Sequence, residues 1–565
     1  MTLLALLAAC QTVEPADVVF TGGPIRTADP ARPQVEAVAI RDGWIVYAGD
    51  EAGLAPWIGP ATLRRDLAGA ALLPGLADGH LHLLGLGAAL EQVDLVGTRS
   101  LEEVISRVVA AAAELPPEQW LLGRGWDQND WPDPSFPTHD ALSAALPERP
   151  AVLTRIDGHA LLANAAAMRA AGVTAQTPDP PGGRILRRPD GTPTGVFVDA
   201  AEGLIRRAIP APGPEDLRRR ALLAQAELHR HGITAVHDAG IGEAGIEVLR
   251  ALAAEGRFLL RWHGMLDGSD EPLLRTWFAR GPAADLDGSG RLAVRSVKLY
   301  ADGALGSRGA ALHQDYSDDP GNRGLLVTPP ERLRQVTERA LRAGFQVGIH
   351  AIGDRGNTVA LDAFEQALAA VPAAADPRLR IEHAQVLREE DAERFARLGV
   401  IAAMQAQHQT SDMPWVRARL GPEREKGAYA WRWLLDRGVP ICGGSDAPVE
   451  RLDPMAAFRA AVTRRDENGR PPEGWHPEQC MTREEALLHL TVWPARAAFR
   501  EEDLGRIAPG MRADLVVLSR DPLSAPVAEL DRIEVLETWF DGRRVFPADP
   551  GEPILAGASH AETPR

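Results

Sequence analysis

Cysteines are few in this sequence, and long apolar runs are missing beyond its start. Its 565 residues include three cysteines, Cys10, Cys442 and Cys480. Three are too few for a disulfide framework, and these lack the paired spacing of a zinc-binding motif. No stretch after residue 20 has the roughly 18 consecutive apolar residues of a membrane-spanning helix. A disulfide-stabilised scaffold is therefore excluded, and no membrane span is predicted beyond residue 20.

Blocks of lysine and arginine are also missing. The formal net charge is −17, which excludes nucleic acid as a partner and disfavours charge-driven binding to anionic lipid. Hydrophobic residues make up 45% and charged residues 25% of the chain, the balance of an ordinary globular enzyme. The length allows one large catalytic domain with a smaller one, or several small domains.

The first ten residues form a separate apolar segment. It ends in Leu7-Ala8-Ala9-Cys10 and resembles a bacterial lipoprotein signal, in which the mature chain begins at a lipidated cysteine. No Lys or Arg precedes the run, and the run is short for a signal core of about 7–15 residues. We predict a signal and linker over residues 1–15, lipidation of Cys10, and a location in the cell envelope or periplasm. An apolar tail on a cytoplasmic protein is the alternative.

Both ends of the chain have the pattern of short β-strands. β-Rich runs fill residues 16–70, with a hairpin signal at Arg41-Asp42-Gly43, and the same texture returns over residues 505–550. We predict one small β-sandwich domain built from both termini. Two unrelated β appendages are the alternative.

The middle of the chain, residues 71–504, alternates between apolar strand runs and helical segments. This order is typical of a parallel (β/α)₈ barrel of the TIM type. Helical periodicity predicts helices over residues 214–229, 330–343 and 357–371. The predicted strand runs are residues 70–73, 233–236, 259–262, 294–300, 345–349, 379–381, 400–404 and 439–442.

A long stretch rich in Trp, Pro and Gly interrupts this alternation at about residues 115–213. A structureless connection of that length is improbable in a domain. We predict an insertion with its own elements, placed over the mouth of the barrel.

Polar residues follow several of the predicted strands, where a barrel carries its active groups. His80 and His82 point to the same side of an extended segment, because strand side chains alternate. His350, His383 and Asp446 each follow another apolar run. Any one of them could be a hydrogen-bonded core residue, but together they are the ligand types that suit zinc, iron or manganese.

Lys298 interrupts the apolar run Ser296-Val297-Lys298-Leu299-Tyr300. A lysine in a buried strand is costly unless it is paired or modified. A structural salt bridge and a carboxylated lysine that bridges two cations are the two interpretations.

The motifs around these residues resemble the amidohydrolase superfamily. Residues 73–82 are similar to its first metal motif, and residues 297–308 narrow the resemblance to the YtcJ-like amidohydrolases, which include N-substituted formamide deformylases. The likeness extends from about residue 16 to 546. Further matching motifs are residues 125–127, 157–159, 350–354, 381–385 and 444–446.

The resemblance implies a role for each matching position. His80 and His82 would hold a first metal, and a carboxylated Lys298 would bridge it to a second metal held by His350 and His383. Asp446 would contact the first metal and carry a proton from the attacking water. Two zinc ions are expected, with iron or manganese, or a single ion, as alternatives.

A second group of residues is predicted to bind substrate, with Trp126 as an apolar wall. For Asp302 and Arg308, an equal alternative is that they pair with each other to hold a loop. A hydrogen-bonded core position is expected for His237. An aromatic wall is one interpretation of Trp415, Trp431 and Trp433, but tryptophans more often pack in a core. The predicted substrate-binding residues are Trp126, Asp127, His159, Asp302, Arg308 and Arg323.

Three functional hypotheses follow. The first is a hydrolase for a non-peptide C–N bond in a small amide or formamide. The second is a related hydrolase for a carbamate, lactone or cyclic amide. The third is a non-catalytic envelope protein with a structural metal, which is disfavoured because a structural zinc site is normally closed by four ligands. The oligomeric state is left open, with a homodimer as one option.

Overall fold

The chain divides into two units in a computed structural model that describes residues 13–116, 119–155, 160–180, 183–374 and 376–548. One unit combines the residues up to Leu86 with those from Ala221 onward, and the other is Gly87–Arg220. Two predicted functional positions, Cys10 and His159, lie outside the described residues. No helix of the described chain is both long and apolar enough to cross a membrane.

Eight parallel strands form a barrel in the first unit, each hydrogen-bonded to the next. Backbone bonds from Asp446 N to His80 O (2.7 Å) and from His82 N to Ala447 O (2.9 Å) join the ends of the last and first strands. The predicted barrel is confirmed. Its strands, numbered below from first to eighth, are Leu76–Leu81, Ile233–Ile241, Arg261–Asp267, Leu292–Tyr300, Gln346–Ala351, Arg380–His383, Ile401–Met404 and Ile441–Gly443.

The first barrel strand is not the one predicted. The run at residues 70–73 belongs to Ala71–Pro74, which pairs antiparallel with Leu515–Leu518 near the C-terminus. Both this run and Leu76–Leu81 are buried, but Leu76–Leu81 contains Asp78 and His80, so a search for apolar runs selects the wrong one of the two. The chain changes sheets at Gly75, where a Cβ would collide with the Thr234 side chain.

The helices of this unit are amphipathic and carry defined caps. In Pro330–Arg342 the buried Leu333, Val336 and Ala340 recur every three or four residues. A capping box between Thr482 and Glu485 begins another helix. The helices predicted near residues 214, 330 and 357 are present. The helices that lie wholly in this unit are Glu243–Ala254, Glu271–Arg280, Pro330–Arg342, Asp354–Ala370, Glu389–Leu398, Ala406–Arg424, Trp431–Leu435, Pro454–Thr463, Arg483–His489 and Val492–Ala497.

Strands from both ends of the chain form a β-sandwich, as predicted. Apolar side chains of the two sheets share one core, in which the rings of Phe20 and Trp539 meet edge to face at 5.1 Å between centroids. One sheet contains Val18–Thr21, Ala37–Arg41, Trp44–Gly49 and Leu63–Asp66. The other contains Ile25–Arg26, Gln34–Val35, Ala71–Pro74, Leu515–Leu518, Val535–Phe540 and Arg543–Phe546.

The second unit has a sheet and a core of its own. Its range, Gly87–Arg220, is wider than the insertion predicted at about 115–213, because Val104 and Val108 of an earlier helix pack with Leu121 and Trp126. Its strands are Val93–Asp94, Leu121–Trp126, Ala151–Arg155, Ala160–Ala163, Gly183–Arg187 and Pro193–Asp199. Its helices are Leu101–Glu114, Asp140–Ala145, Ala165–Ala170 and Glu202–Arg206, while Leu83–Leu90 and Pro214–Arg230 cross its boundaries.

Candidate metal and catalytic site

The predicted metal ligands of the first, fourth and eighth strands meet at the carboxyl-terminal end of the barrel. Oδ1 of Asp446 lies 3.5 Å from Nε2 of His80 and 3.3 Å from Nε2 of His82. Nζ of Lys298 lies 3.4 Å from the same Nε2 of His80. These four side chains therefore surround a common point.

Two further histidines complete the cluster from the fifth and sixth strands. The ring of His383 lies 4.8 Å from that of His80 and 4.5 Å from that of His350, measured between centroids. Ligand atoms of His80, His383 and Asp446 all lie within 4.8 Å of one another. All six predicted ligands thus gather at one place.

Unpaired polar atoms within this cluster fit a cation. Oδ1 of Asp446 and Nε2 of His350 are buried and have no hydrogen-bond partner among the described residues. A buried polar atom without a partner costs roughly 1–3 kcal/mol, and coordination of a divalent ion would remove that cost. Imidazole and carboxylate donors are ligands that zinc accepts.

Burial keeps the ligand imidazoles in the neutral form that coordination requires. Burial, with a smaller contribution from Lys298, lowers the pKa of His80 to about 4. The same two causes lower the pKa of His350 to about 3. Burial also holds the pKa of His383 well below its usual value. At neutral pH each ring therefore offers a lone pair.

Glu382 and Arg380 fix the orientation of the His80 ring. Nδ1 of His80 donates to Oε2 of Glu382 at 2.5 Å, which directs Nε2 towards Asp446. Both Glu382 oxygens accept from Arg380, at 2.8 and 2.9 Å, and the three side chains are fully buried. Arg380 and His80 hold the pKa of Glu382 well below its usual range, against the effect of burial. This is the carboxylate–histidine arrangement that orients metal ligands.

Gln405 orients the ring of His383 in the same way. Nδ1 of His383 lies 2.8 Å from Oε1 of Gln405, and both side chains are buried. A proton on Nδ1 is therefore bonded to the amide oxygen, and Nε2 is left to face the cluster.

Two of the cluster residues have backbone angles that L-residues rarely adopt. The φ angle is 73° at His383 and 58° at Asp446. Left-handed conformations of such residues cost of order 1–3 kcal/mol and concentrate at functional sites.

Burial raises the pKa of Asp446, but the imidazoles of His82 and His80 hold it well below its usual range. Asp446 is thus a carboxylate at neutral pH.

Lys298 is buried inside the fourth strand, with 1% of its surface exposed. Its Nζ lies 4.7 Å from the centre of the Tyr300 ring. Burial lowers the pKa of its ammonium to about 8. The neutral amine is therefore more accessible at this position than in an exposed lysine.

The predicted substrate residues of the barrel unit make structural contacts. The buried carboxylate of Asp302 accepts the backbone N–H groups of Ala311, Ile352 and Gly353 at 2.8–2.9 Å. Burial raises the pKa of Asp302 to about 7, although these donors lower it. The alternative that Asp302 pairs with Arg308 is wrong, because the Arg308 guanidinium binds both oxygens of Asp318 at 3.1 and 3.0 Å.

The remaining predicted substrate residues that the structure describes also have structural partners. Arg323 pairs with Asp315 at 2.6 Å, and 60% of its side-chain surface is exposed. In the second unit, Trp126 is 1% exposed in the core and donates to the backbone of Leu153, while Asp127 pairs with Arg155. Their roles in substrate binding remain predictions.

Sequence reasoning missed one histidine of this cluster. His408 lies in the first turn of Ala406–Arg424, just after the seventh strand, and its Nε2 is 4.0 Å from Oδ2 of Asp446. The signal was the same as for the other ligands, a polar residue shortly after an apolar strand. His237, expected in the core, is buried there beside Arg380, with 2.8 Å between Nδ1 and Nη1.

An eight-stranded parallel barrel with histidines and an aspartate at its carboxyl end defines a class, the metal-dependent barrel hydrolases. The chain belongs to the amidohydrolase family, whose pattern matches residues 65–546. The resemblance found in the sequence motifs is thereby confirmed.

Relatives of the chain align over nearly its whole length. YtcJ of Bacillus subtilis, which carries the name of an amidohydrolase, is 33% identical, covering 94% of this chain and 99% of its own. The N-substituted formamide deformylase of Arthrobacter pascens is 29% identical, covering 93% and 97%. A crystal structure described as an uncharacterized metal-dependent hydrolase from Pyrococcus horikoshii is 29% identical with a TM-score of 0.75, covering 90% and 99%.

Proposed function

We propose that the protein hydrolyses the C–N bond of a small N-substituted amide or formamide, using water activated at a two-metal site, with zinc as the expected ion. The observation that supports this most is the arrangement of Asp446, whose unpaired Oδ1 faces His80 and His82 while Oδ2 faces His408. One oxygen of this carboxylate can thus contact a metal while the other stays available to accept a proton. The name of the Arthrobacter relative points to the same bond type.

Different residues of the cluster would hold each of the two ions. His80 and His82 would hold one ion, His350 and His383 the other, and a carboxylated Lys298 would bridge them. When bound, such ions lower the pKa of water from 15.7 to about 7 and polarise a carbonyl. Glu382 and Gln405 keep the two ligand rings in the required orientation.

Asp446 performs the proton transfer in this proposal. Its carboxylate accepts the proton from water as the oxygen attacks the scissile carbonyl carbon. The C–N bond then breaks, and the same carboxyl group delivers the proton to the leaving nitrogen. Asp446 begins this cycle ionised, since the imidazoles of His82 and His80 lower its pKa.

A substrate panel tests the proposed bond type. Purified protein would be incubated with N-substituted formamides, other N-substituted amides, carbamates, lactones and cyclic amides, with D446N as the blank. Turnover of formamides or open-chain amides above the other classes is expected. Preference for a lactone, carbamate or cyclic amide would replace the proposed substrate class, and no turnover at all would contradict the enzymatic function.

We expect Lys298 to be carboxylated in the metal-loaded protein. A neutral Nζ adds to CO₂ and releases one proton, which gives an anionic carbamate suited to lie between cations, whereas a bare ammonium would be repelled. Native mass spectrometry of the metal-loaded protein should show the added mass of one CO₂, absent from K298A. K298A should also lose metal and activity. If K298A keeps full metal content and full activity, the bridging role is wrong.

A further inference from the structure

The position of His408 is set by contacts on its own helix. Asp412, one turn later on Ala406–Arg424, accepts from the Tyr429 hydroxyl at 2.5 Å and from the Gln385 amide at 2.7 Å. Gln385 follows the sixth strand, which carries His383. These bonds tie the first two turns of the helix to the loop beside the candidate ligands, so that His408 is held rather than free.

The imidazole of His408 lies beside the candidate ligand His383 and close to the carboxylate of Asp446. Its ring stacks on that of His383, at 6.0 Å between centroids and 19° between planes. Its Nε2 is buried and has no hydrogen-bond partner in the described part of the chain. The 4.0 Å to Oδ2 of Asp446 is too long for a hydrogen bond. Such a buried polar atom is costly unless something else binds it.

We infer that His408 is a further catalytic residue, whose Nε2–H donates a hydrogen bond to the oxygen of the scissile carbonyl. This inference rests on the proposed function. The carbonyl oxygen is the atom that gains negative charge when water attacks, so a fixed N–H donor there stabilises the transition state more than the substrate. The leaving nitrogen instead needs a proton, which Asp446 supplies. His408 keeps its own proton throughout.

The test compares two substitutions at His408 with a matched control. H408A removes the donor, H408Q retains an N–H group, and H231A removes a partly buried histidine that directly follows the helix Pro214–Arg230 and pairs with Glu227 at 3.1 Å. The measurements are kcat and KM on the best substrate of the panel, metal ions per chain, and affinity for an inhibitor with a tetrahedral phosphinate in place of the scissile group.

Loss of one oxyanion donor typically lowers kcat by about 10²–10³-fold. H408A should show a loss of this size with wild-type metal content and a small change in KM. Its phosphinate affinity should fall, H408Q should recover part of the rate, and H231A should match the wild type.

Wild-type kcat in H408A overturns the inference, and so does loss of metal, which would make His408 a ligand or a structural residue. An unchanged phosphinate affinity in a slow H408A also overturns it. If the wild type is active only on a lactone or carbamate, the proposed amide function is wrong, but the His408 test remains valid because those substrates also have a carbonyl. If the wild type is inactive on the whole panel, the proposed function and the role of His408 are both wrong.

Discussion

Asp446→Asn is expected to lower kcat/KM by at least about 10²–10⁴-fold, the usual contribution of general acid–base catalysis. The amide oxygen of asparagine can still face His80 and His82, but it accepts no proton at neutral pH. The chain should therefore fold and retain much of its metal. Steady-state kinetics on an accepted amide, with metal content measured on the same samples, check this expectation.

The matched control is Asp436→Asn. Asp436 is 68% exposed at its side chain and pairs with Arg432 on a helix surface at 3.3 Å, so the variant should behave as wild type.

The pH dependence of kcat/KM gives a second measurement. His82 and His80 lower the pKa of Asp446, and an acidic limb in the profile is expected to report the coupled titration of Asp446 and the attacking water. An Asn variant with full metal and near wild-type turnover would reject the assignment.

Glu382→Gln is expected to weaken metal binding and to destabilise the protein. The neutral amide leaves the buried Arg380 guanidinium uncompensated, and breaking a buried pair in this way costs about 3–5 kcal/mol. It also loosens the orientation of His80, and loss of such a partner lowers metal affinity about 10–100-fold. Urea unfolding of the metal-free protein and competition with a chromophoric chelator measure the two effects separately.

Glu365→Gln is the control for this change. Glu365 is 42% exposed and pairs with Arg394 and Arg397 at 3.1 and 2.7 Å, and an exposed pair contributes only about 0–1 kcal/mol. Unfolding and metal affinity close to wild type are expected for it. If Glu382→Gln shares both of those properties, the pair with Arg380 does not orient His80.

Strand periodicity accounts for what could be predicted of the site. His80 and His82 are two residues apart in an extended segment, and Lys298, His350 and His383 each lie at the end of an apolar strand. Parallel strands bring such ends to one face of a barrel. The ligand cluster was therefore accessible without any knowledge of distances.

The supporting contacts depend on packing that periodicity does not report. Glu382 stands beside His383 in sequence, yet it bonds His80 across the barrel. Arg308 lies six residues from Asp302 but bonds Asp318 instead, because loop geometry decides which charges meet. Gly75 divides two buried strands, and the pairing with Leu515–Leu518 shows that the more apolar one, Ala71–Pro74, joins the β-sandwich and not the barrel.

Elemental analysis of the purified protein shows whether the six-residue cluster holds metal, which the proposed chemistry requires. Wild type, H80A, H350A and H383A would be purified in parallel and their divalent ions counted per chain, with H231A as the control. Close to two ions per chain are expected in the wild type and in H231A, and a clear loss is expected in each of the other three variants. Metal content unaffected by all three substitutions would contradict the proposed metal site.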